Sequence, residues 1–159
     1  MNTFHWLKGK TWGLSILTAA LTLSATASAA LPDSAELKQR ELADGLYEMV
    51  YSPTANALYV ASAQSFKNVN GGVLYKLDPT TLATQGETHT DLKNFGMAAD
   101  DNGKVYYTTN TLDGGVSKVD VQSGKVLQRL MIEGKDKDGD PVGAREILFH
   151  KGQLFIGGV

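Results

Sequence analysis

Three short segments in the second half of the chain decide its fold: Val105–Asn110 (VYYTTN), Gly114–Asp120 (GGVSKVD) and Ser123–Val126 (SGKV). Apolar positions alternate within them, β-branched and aromatic residues are frequent, and Asn or Gly stands at each break, which is typical of β-strands joined by turns. Gly71–Asp78 (GGVLYKLD) follows the same plan, and its Gly-Gly-Val motif recurs 43 residues later. A period of about 40–45 residues in an all-β sequence is that of propeller blades with four strands each. The sequence therefore predicts an all-β fold, and within that class a β-propeller of four-stranded blades.

The motifs resemble those of a known family. Tyr106–Asn110 (YYTTN), followed by the glycine-rich strand and turn, is similar to the WD40-like YVTN repeat of bacterial seven-bladed propellers. Three further runs, Tyr47–Ser52 (YEMVYS), Gly71–Pro79 and Asp91–Gly96 (DLKNFG), resemble the YncE-like periplasmic members of that family. The resemblance covers most of the chain after residue 44. It implies a seven-bladed fold, and binding of single-stranded DNA has been linked to members of this kind.

We divide the chain into three parts. Residues 1–29 have the pattern of a signal peptide: Lys8 and Lys10 precede the apolar run Trp12–Leu23, and Ala27–Ala29 (ASA) forms a cleavage site of small residues. Residues 30–43 form a charged N-terminal segment, and residues 44–159 form a partial propeller. We therefore expect a periplasmic protein, exported by its signal peptide, that has no membrane contact after cleavage.

The predicted blades span about 44–90 and 91–135, with an incomplete third blade at 141–159. The chain ends at Val159 in the middle of this third blade, so the sequence predicts a propeller truncated to about two and a half blades. Because each blade buries its apolar face only against a neighbour, we expect further blades, and a monomer, in the full-length protein. A short protein that assembles from several copies is the alternative.

The composition excludes several kinds of site. The chain has no cysteine, so neither disulfides nor thiolate metal sites hold the fold. Its formal net charge is −2, and loss of Lys8 and Lys10 with the signal peptide makes the remainder more acidic. No basic patch predicts nonspecific attraction to phosphates.

The candidate binding site lies at the entrances of the predicted inner strands. Three residue pairs occupy equivalent places there: Tyr47 with Glu48, Phe95 with Gly96, and Arg145 with Glu146. In a propeller these positions surround one mouth of the central channel. Aromatic rings and an Arg at such a mouth stack on bases or bind an anion. The alternative is that the aromatic rings wedge between blades and that the Arg pairs with a neighbouring Glu. The candidate ligand-binding residues, which we name the channel-mouth residues, are Tyr47, Glu48, Phe95, Arg145 and Glu146.

No other motif predicts chemistry. Asp136–Asp140 (DKDGD) resembles the start of a calcium loop, but Pro141 and Ile147 stand where the EF-hand pattern needs Gly and Glu, so a solvated acidic turn is favoured. The histidines are scattered and suggest neither a metal site nor a catalytic group. We therefore predict no cofactor, no metal and no catalytic residue. The histidines are His5, His89 and His150.

The favoured function is that of a non-enzymatic periplasmic binding protein, whose partner is single-stranded DNA or a periplasmic protein. One alternative is a protein-interaction scaffold that uses the loops 64–70 and 133–143. The other is a metal- or quinone-dependent propeller enzyme, most of whose ring of ligands would be missing from this sequence.

Overall fold

The computed structural model describes residues 37–64 and 70–158, which lie in one compact unit. The predicted signal peptide, its cleavage site and Val159 lie outside the described residues. Within these ranges no helix has the length and apolar character needed to cross a membrane. The strands are β1 (Leu46–Ser52), β2 (Ala57–Ser62), β3 (Gly72–Leu77), β4 (Thr84–Thr90), β5 (Met97–Ala99), β6 (Val105–Asn110), β7 (Gly115–Asp120), β8 (Val126–Met131), β9 (Ala144–His150) and β10 (Gln153–Gly158).

The strands form two four-stranded antiparallel sheets and one hairpin. Blade 1 has the order β1-β2-β3-β4, blade 2 has the order β5-β6-β7-β8, and β9 pairs with β10 in what we name the third hairpin. The innermost strand of blade 2, β5, lies between β1 and β9. The predicted all-β fold of four-stranded sheets is therefore confirmed.

Equivalent turns end the third strand of each blade. Asp78 Oδ1 accepts hydrogen bonds from the backbone N–H of Thr81 at 2.7 Å, and Asp120 Oδ1 accepts one from the backbone N–H of Ser123 at 2.7 Å. An Asp side chain that accepts hydrogen bonds from the backbone N–H groups of the next residues favours a turn and so ends the strand. The recurrence of this Asp after 42 residues is thus a recurrence of turn structure.

The core lies between blades 1 and 2. The rings of Tyr59 and Tyr106 are 5.1 Å apart across this joint, and the Tyr59 hydroxyl donates to the carbonyl of Val121 at 3.0 Å. At the next joint Tyr107 stacks on Phe149 with 5.5 Å between ring centroids. Each joint therefore packs aromatic rings from neighbouring units. The buried cluster consists of Ala57, Tyr59, Ala61, Leu74, Met97, Tyr106, Val119 and Val121.

Candidate functional site

Three of the five channel-mouth residues contact one another. The ring of Tyr47 meets the ring of Phe95 edge-on, with 4.6 Å between centroids and an interplanar angle of 66°. The Arg145 guanidinium carbon lies 5.4 Å from the centroid of the Tyr47 ring. These contacts bring the entrances of all three inner strands together, although the three residues lie about 50 positions apart along the chain.

Exposure divides this stack of three side chains into a solvent-exposed part and a buried part. Tyr47 is 40% exposed and Arg145 is exposed, whereas Phe95 is only 3% exposed. A guanidinium within about 6 Å of an aromatic face is held there by a cation–π interaction. Phe95 therefore lies in the inter-blade position of the alternative interpretation, and Tyr47 and Arg145 are the members of this stack that solvent reaches.

β-Bulges change the side-chain directions of the mouth residues in β1 and β9. The register of β1 against β2 shifts between Leu46 and Met49, so Tyr47 and Glu48 lie in the irregular step. The pairing of β9 with β10 also shifts, and Arg145 is the extra residue between its paired neighbours. A bulge leaves a residue without a ladder partner and turns its side chain away from the regular alternation.

The entrance to β5 carries the same irregularity. The N–H of Phe95 donates to the carbonyl of Thr109 at 3.0 Å, and the N–H of Thr109 donates to the carbonyl of Gly96 at 2.9 Å. Two consecutive residues thus oppose one residue of the neighbouring strand. At the entrance of each inner strand there is therefore one residue more than on the second strand with which it pairs. The periodicity of the sequence does not indicate this repeated bulge.

The two acidic mouth residues have different surroundings. Glu48 is half-buried, and its Oε2 accepts a hydrogen bond of 2.8 Å from the backbone N–H of Met97, which links β1 to β5. Glu146 is exposed and pairs in register with Gly157. Glu48 thus stabilises the joint between blades, while the carboxylate of Glu146 is open to solvent.

Arg145 has no charged partner in residues 37–64 and 70–158. The ion pairs of this part of the chain join Arg129 to Asp91 and Lys137 to Asp138, and neither Glu48 nor Glu146 lies within ion-pair distance of Arg145. The alternative in which Arg145 is neutralised by a neighbouring Glu is therefore not what the structure shows. Its positive charge stands at the surface of the mouth.

A chain of hydrogen bonds fixes the connection that leads from blade 1 to the mouth. Asp91 receives two bonds from Arg129, at 2.9 and 2.8 Å, and Arg129 Nε donates to Ser117 Oγ at 3.1 Å. Ser117 Oγ donates to Asn110 Oδ1 at 2.7 Å, and Asn110 Nδ2 donates to the carbonyl of Lys93 at 3.0 Å. The Arg129 guanidinium lowers the pKa of the Asp91 carboxyl.

Lys93 lies in the connection between the two blades and is not a solvated surface charge. The residue is half-buried, and its ammonium donates to the carbonyl of Ala63 at 2.9 Å and to that of Gly71 at 3.4 Å. The ammonium thus ties the blade connection to both ends of the loop between β2 and β3. No local signal in the sequence distinguishes such a lysine from a solvated one.

The described residues contain no group of three or more His, Asp or Glu side chains placed to hold a metal ion. In the acidic turn, Asp136 Oδ1 instead accepts bonds from the backbone N–H groups of Asp138 at 2.8 Å and Asp140 at 3.0 Å. The carboxylate of Asp136 thus closes its own turn through these two bonds.

Comparison with solved structures defines the class of protein. The fold is similar to the WD40 repeats of RRP9 (TM-score 0.56, 16% identity, 79% of this chain and 36% of that chain). It is also similar to Kuenenia stuttgartiensis hydrazine synthase (TM-score 0.56, 17% identity, 80% of this chain and 32% of that chain). Identities this low show the fold alone, and the described residues are accordingly part of a WD40-like β-propeller.

Sequence comparison gives the particular relatives. The chain is 31% identical over 150 residues to the uncharacterized protein YncE of Escherichia coli (strain K12), covering 93% of this chain and 42% of YncE. Against YncE of Escherichia coli O157:H7 the identity is 35% over 115 residues, with 71% and 33% of the two chains covered. No family model matches the chain. The chain is therefore homologous to YncE proteins, as the sequence motifs predicted, and it spans less than half of their length.

Proposed function

We propose that this chain forms the ligand-binding part of a non-enzymatic periplasmic propeller, and that its ligand is single-stranded DNA bound at the channel mouth. One observation carries the proposal. Arg145, which has no carboxylate partner in the described part of the chain, lies 5.4 Å above the exposed ring of Tyr47. A cation beside an exposed aromatic face is the combination that single-stranded nucleic acids require.

Each mouth residue has a defined part in this proposal. A base stacks on Tyr47, whose ring is held in place by Phe95, and a phosphate oxygen receives hydrogen bonds from Arg145. The exposed carboxylate of Glu146 accepts a hydrogen bond from an N–H on the Watson–Crick edge of a base, which in thymine is N3–H. Glu48 contributes by holding β1 against β5 through the N–H of Met97.

The test is the binding of a fluorescently labelled oligothymidine, followed by fluorescence anisotropy over a series of salt concentrations. We expect binding that weakens as salt rises, because released counterions drive it. Arg145→Glu should abolish the binding. Lys125→Glu is the matched control, since it makes the same change of charge in the exposed turn between β7 and β8, at the opposite end of the strands. Absence of binding at low salt, or equal losses in the two variants, would overturn the proposal.

Two further measurements test the rest of the proposed function. Cell fractionation should find the protein in the periplasm after removal of residues 1–29, and retention in the cytoplasm would contradict the proposed location. Metal analysis should find no stoichiometric ion in the purified protein. Stoichiometric calcium or zinc would contradict the non-enzymatic assignment and favour the alternative of a propeller enzyme.

A further inference from the structure

Gly96 lies where the inner strands of all three units meet. A Cβ atom at this position would lie 2.2 Å from the carbonyl oxygen of Arg145, 3.0 Å from Oγ1 of Thr109 and 3.2 Å from Oε2 of Glu48. No side chain fits within these distances, so the backbone of β9 approaches the backbone at the entrance of β5 directly. The backbone at Arg145 therefore contacts blade 2 as well as its own hairpin.

The hydroxyl of Thr109 makes this contact specific. Thr109 is fully buried, its Oγ1 accepts a hydrogen bond of 2.7 Å from the N–H of Gly96, and the same oxygen donates one of 3.0 Å to the carbonyl of Arg145. One side chain on β6 thus satisfies a donor at the entrance of β5 and an acceptor on β9. Both bonds are to backbone groups in the irregular steps of their strands.

We propose that Thr109 is a positioning residue for the channel mouth, which sets the place of the Arg145 guanidinium above Tyr47. This inference rests on the proposed function of the mouth. As the extra residue of a bulge, Arg145 has no ladder partner on β10 that would fix it. The bond from Thr109 supplies the missing constraint, so blade 2 determines the geometry of a ligand contact that the third hairpin carries.

The functional test compares Thr109→Val, which removes the hydroxyl at nearly constant volume, with Thr109→Ser, which keeps it. Thr109→Val should weaken oligothymidine binding about five-fold, the effect of one hydrogen bond. It should also reduce the slope of log Kd against log salt by about 0.7, the loss of one phosphate contact to single-stranded DNA. Thr109→Ser should retain both values. A purely structural role would leave the salt slope unchanged and would overturn the proposal.

A double-mutant cycle tests whether Thr109 acts through Arg145. In an Arg145→Gln background, Thr109→Val should cause no further loss of binding, because the group that it positions is already absent. An additional loss equal to that in the wild-type background would contradict the proposed route.

A second readout does not depend on DNA. In a nuclear magnetic resonance spectrum the Nε–Hε signal of Arg145 should be shifted by the ring current of Tyr47, and Tyr47→Leu gives the reference without a ring. The shift should disappear in Thr109→Val and in the second hydroxyl-free variant, Thr109→Ala, and persist in Thr109→Ser. An unchanged shift in the hydroxyl-free variants would overturn the positioning role. Failure of the wild-type protein to bind DNA would overturn only the proposed function, since this arm still decides the role of Thr109.

Discussion

An aromatic residue at the same strand position is buried at the joint between blades 1 and 2, which we call the closed joint, and exposed on the uncovered face of the third hairpin, which we call the open face. Tyr59, Tyr107 and Phe155 each stand third in the second strand of their unit. Tyr59 is 4% exposed against Tyr106, and Tyr107 stacks on Phe149, but Phe155 is 51% exposed. The residue type is similar at each position, so the neighbouring sheet, not the strand itself, decides burial.

On the outward face of blade 1, burial likewise depends on what covers the sheet. Met49 is exposed, and an apolar groove of about 230 Å³ separates this face from the irregular segment that precedes β1. That segment is attached by polar contacts: the side chains of Lys38 and Arg40 donate to the carbonyls of Thr80 and Leu82. Val60 and Leu77, which line the groove shared with this segment, are buried at 5% exposure each, whereas Met49 is 61% exposed.

The largest effect should come from removing an aromatic ring at the closed joint. Tyr59→Ala should lower the free energy of unfolding by about 3–4 kcal/mol, because it leaves a cavity and removes the bond to Val121. Phe155→Ala is the matched control at the open face, with an expected cost below about 1 kcal/mol. Chemical denaturation measures both values. Equal costs would show that the two faces are not energetically different.

A somewhat smaller effect is expected at the crossing of the inner strands. Gly96→Ala should destabilise the protein by about 1–3 kcal/mol, since the new methyl group meets the carbonyl of Arg145 at 2.2 Å. Gly86→Ala, on β4, is the control, because no atom lies within 4 Å of its added Cβ. Thermal unfolding of both variants tests this difference, and a neutral Gly96→Ala would contradict the close approach of the strands.

A weaker, pH-dependent contribution should come from the ion pair between Asp91, in the connection between the blades, and Arg129 of β8. Arg129 lowers the pKa of Asp91 in the folded protein, so the pair stabilises the fold above the unfolded pKa of about 3.9 and loses its effect as pH falls through the folded value. Asp91→Asn should cost about 0.5–1 kcal/mol at pH 7 and less at pH 2. Denaturation at the two pH values measures this, with Asp91→Asn in an Arg129→Gln background as the control. An equal cost at both pH values would contradict the assignment.

The smallest effect is expected from placing a charge on the open face. Leu148 pairs with Phe155 in register and is exposed, so Leu148→Lys should change the free energy of unfolding by less than about 0.5 kcal/mol. It should also reduce self-association at high concentration, as measured by light scattering, because it interrupts an apolar patch. A large loss of stability would show that this face is covered in solution.

The fold was largely predictable because local chemistry and the repeat agree. The segment Val105–Asn110, quoted from the sequence as a strand, is β6 with the same bounds, and the two Gly-Gly-Val motifs form the entries of β3 and β7. The start of β4 at Thr84 is set by the preceding turn, in which the side chain of Asp78 accepts a hydrogen bond from the N–H of Thr81.

The site was predictable only in part. Equivalent spacing identified the strand entrances, but no pattern in a single sequence indicates that each entrance carries an extra residue. The contact between Arg145 and Tyr47 joins residues 98 positions apart, and the role of Thr109 depends on a backbone approach at Gly96. Such contacts arise from the way neighbouring sheets pack, so sequence periodicity does not reveal them.

The most direct test of the account locates the bound ligand. An oligonucleotide that carries photoreactive 5-bromouracil, irradiated in complex with the full chain and mapped by mass spectrometry, should crosslink to the peptide that contains Tyr47. The Tyr47→Leu variant should lose this crosslink while the protein stays folded. Crosslinks at the open face around Phe155, or at the turn that contains Lys125, would contradict a binding site at the channel mouth.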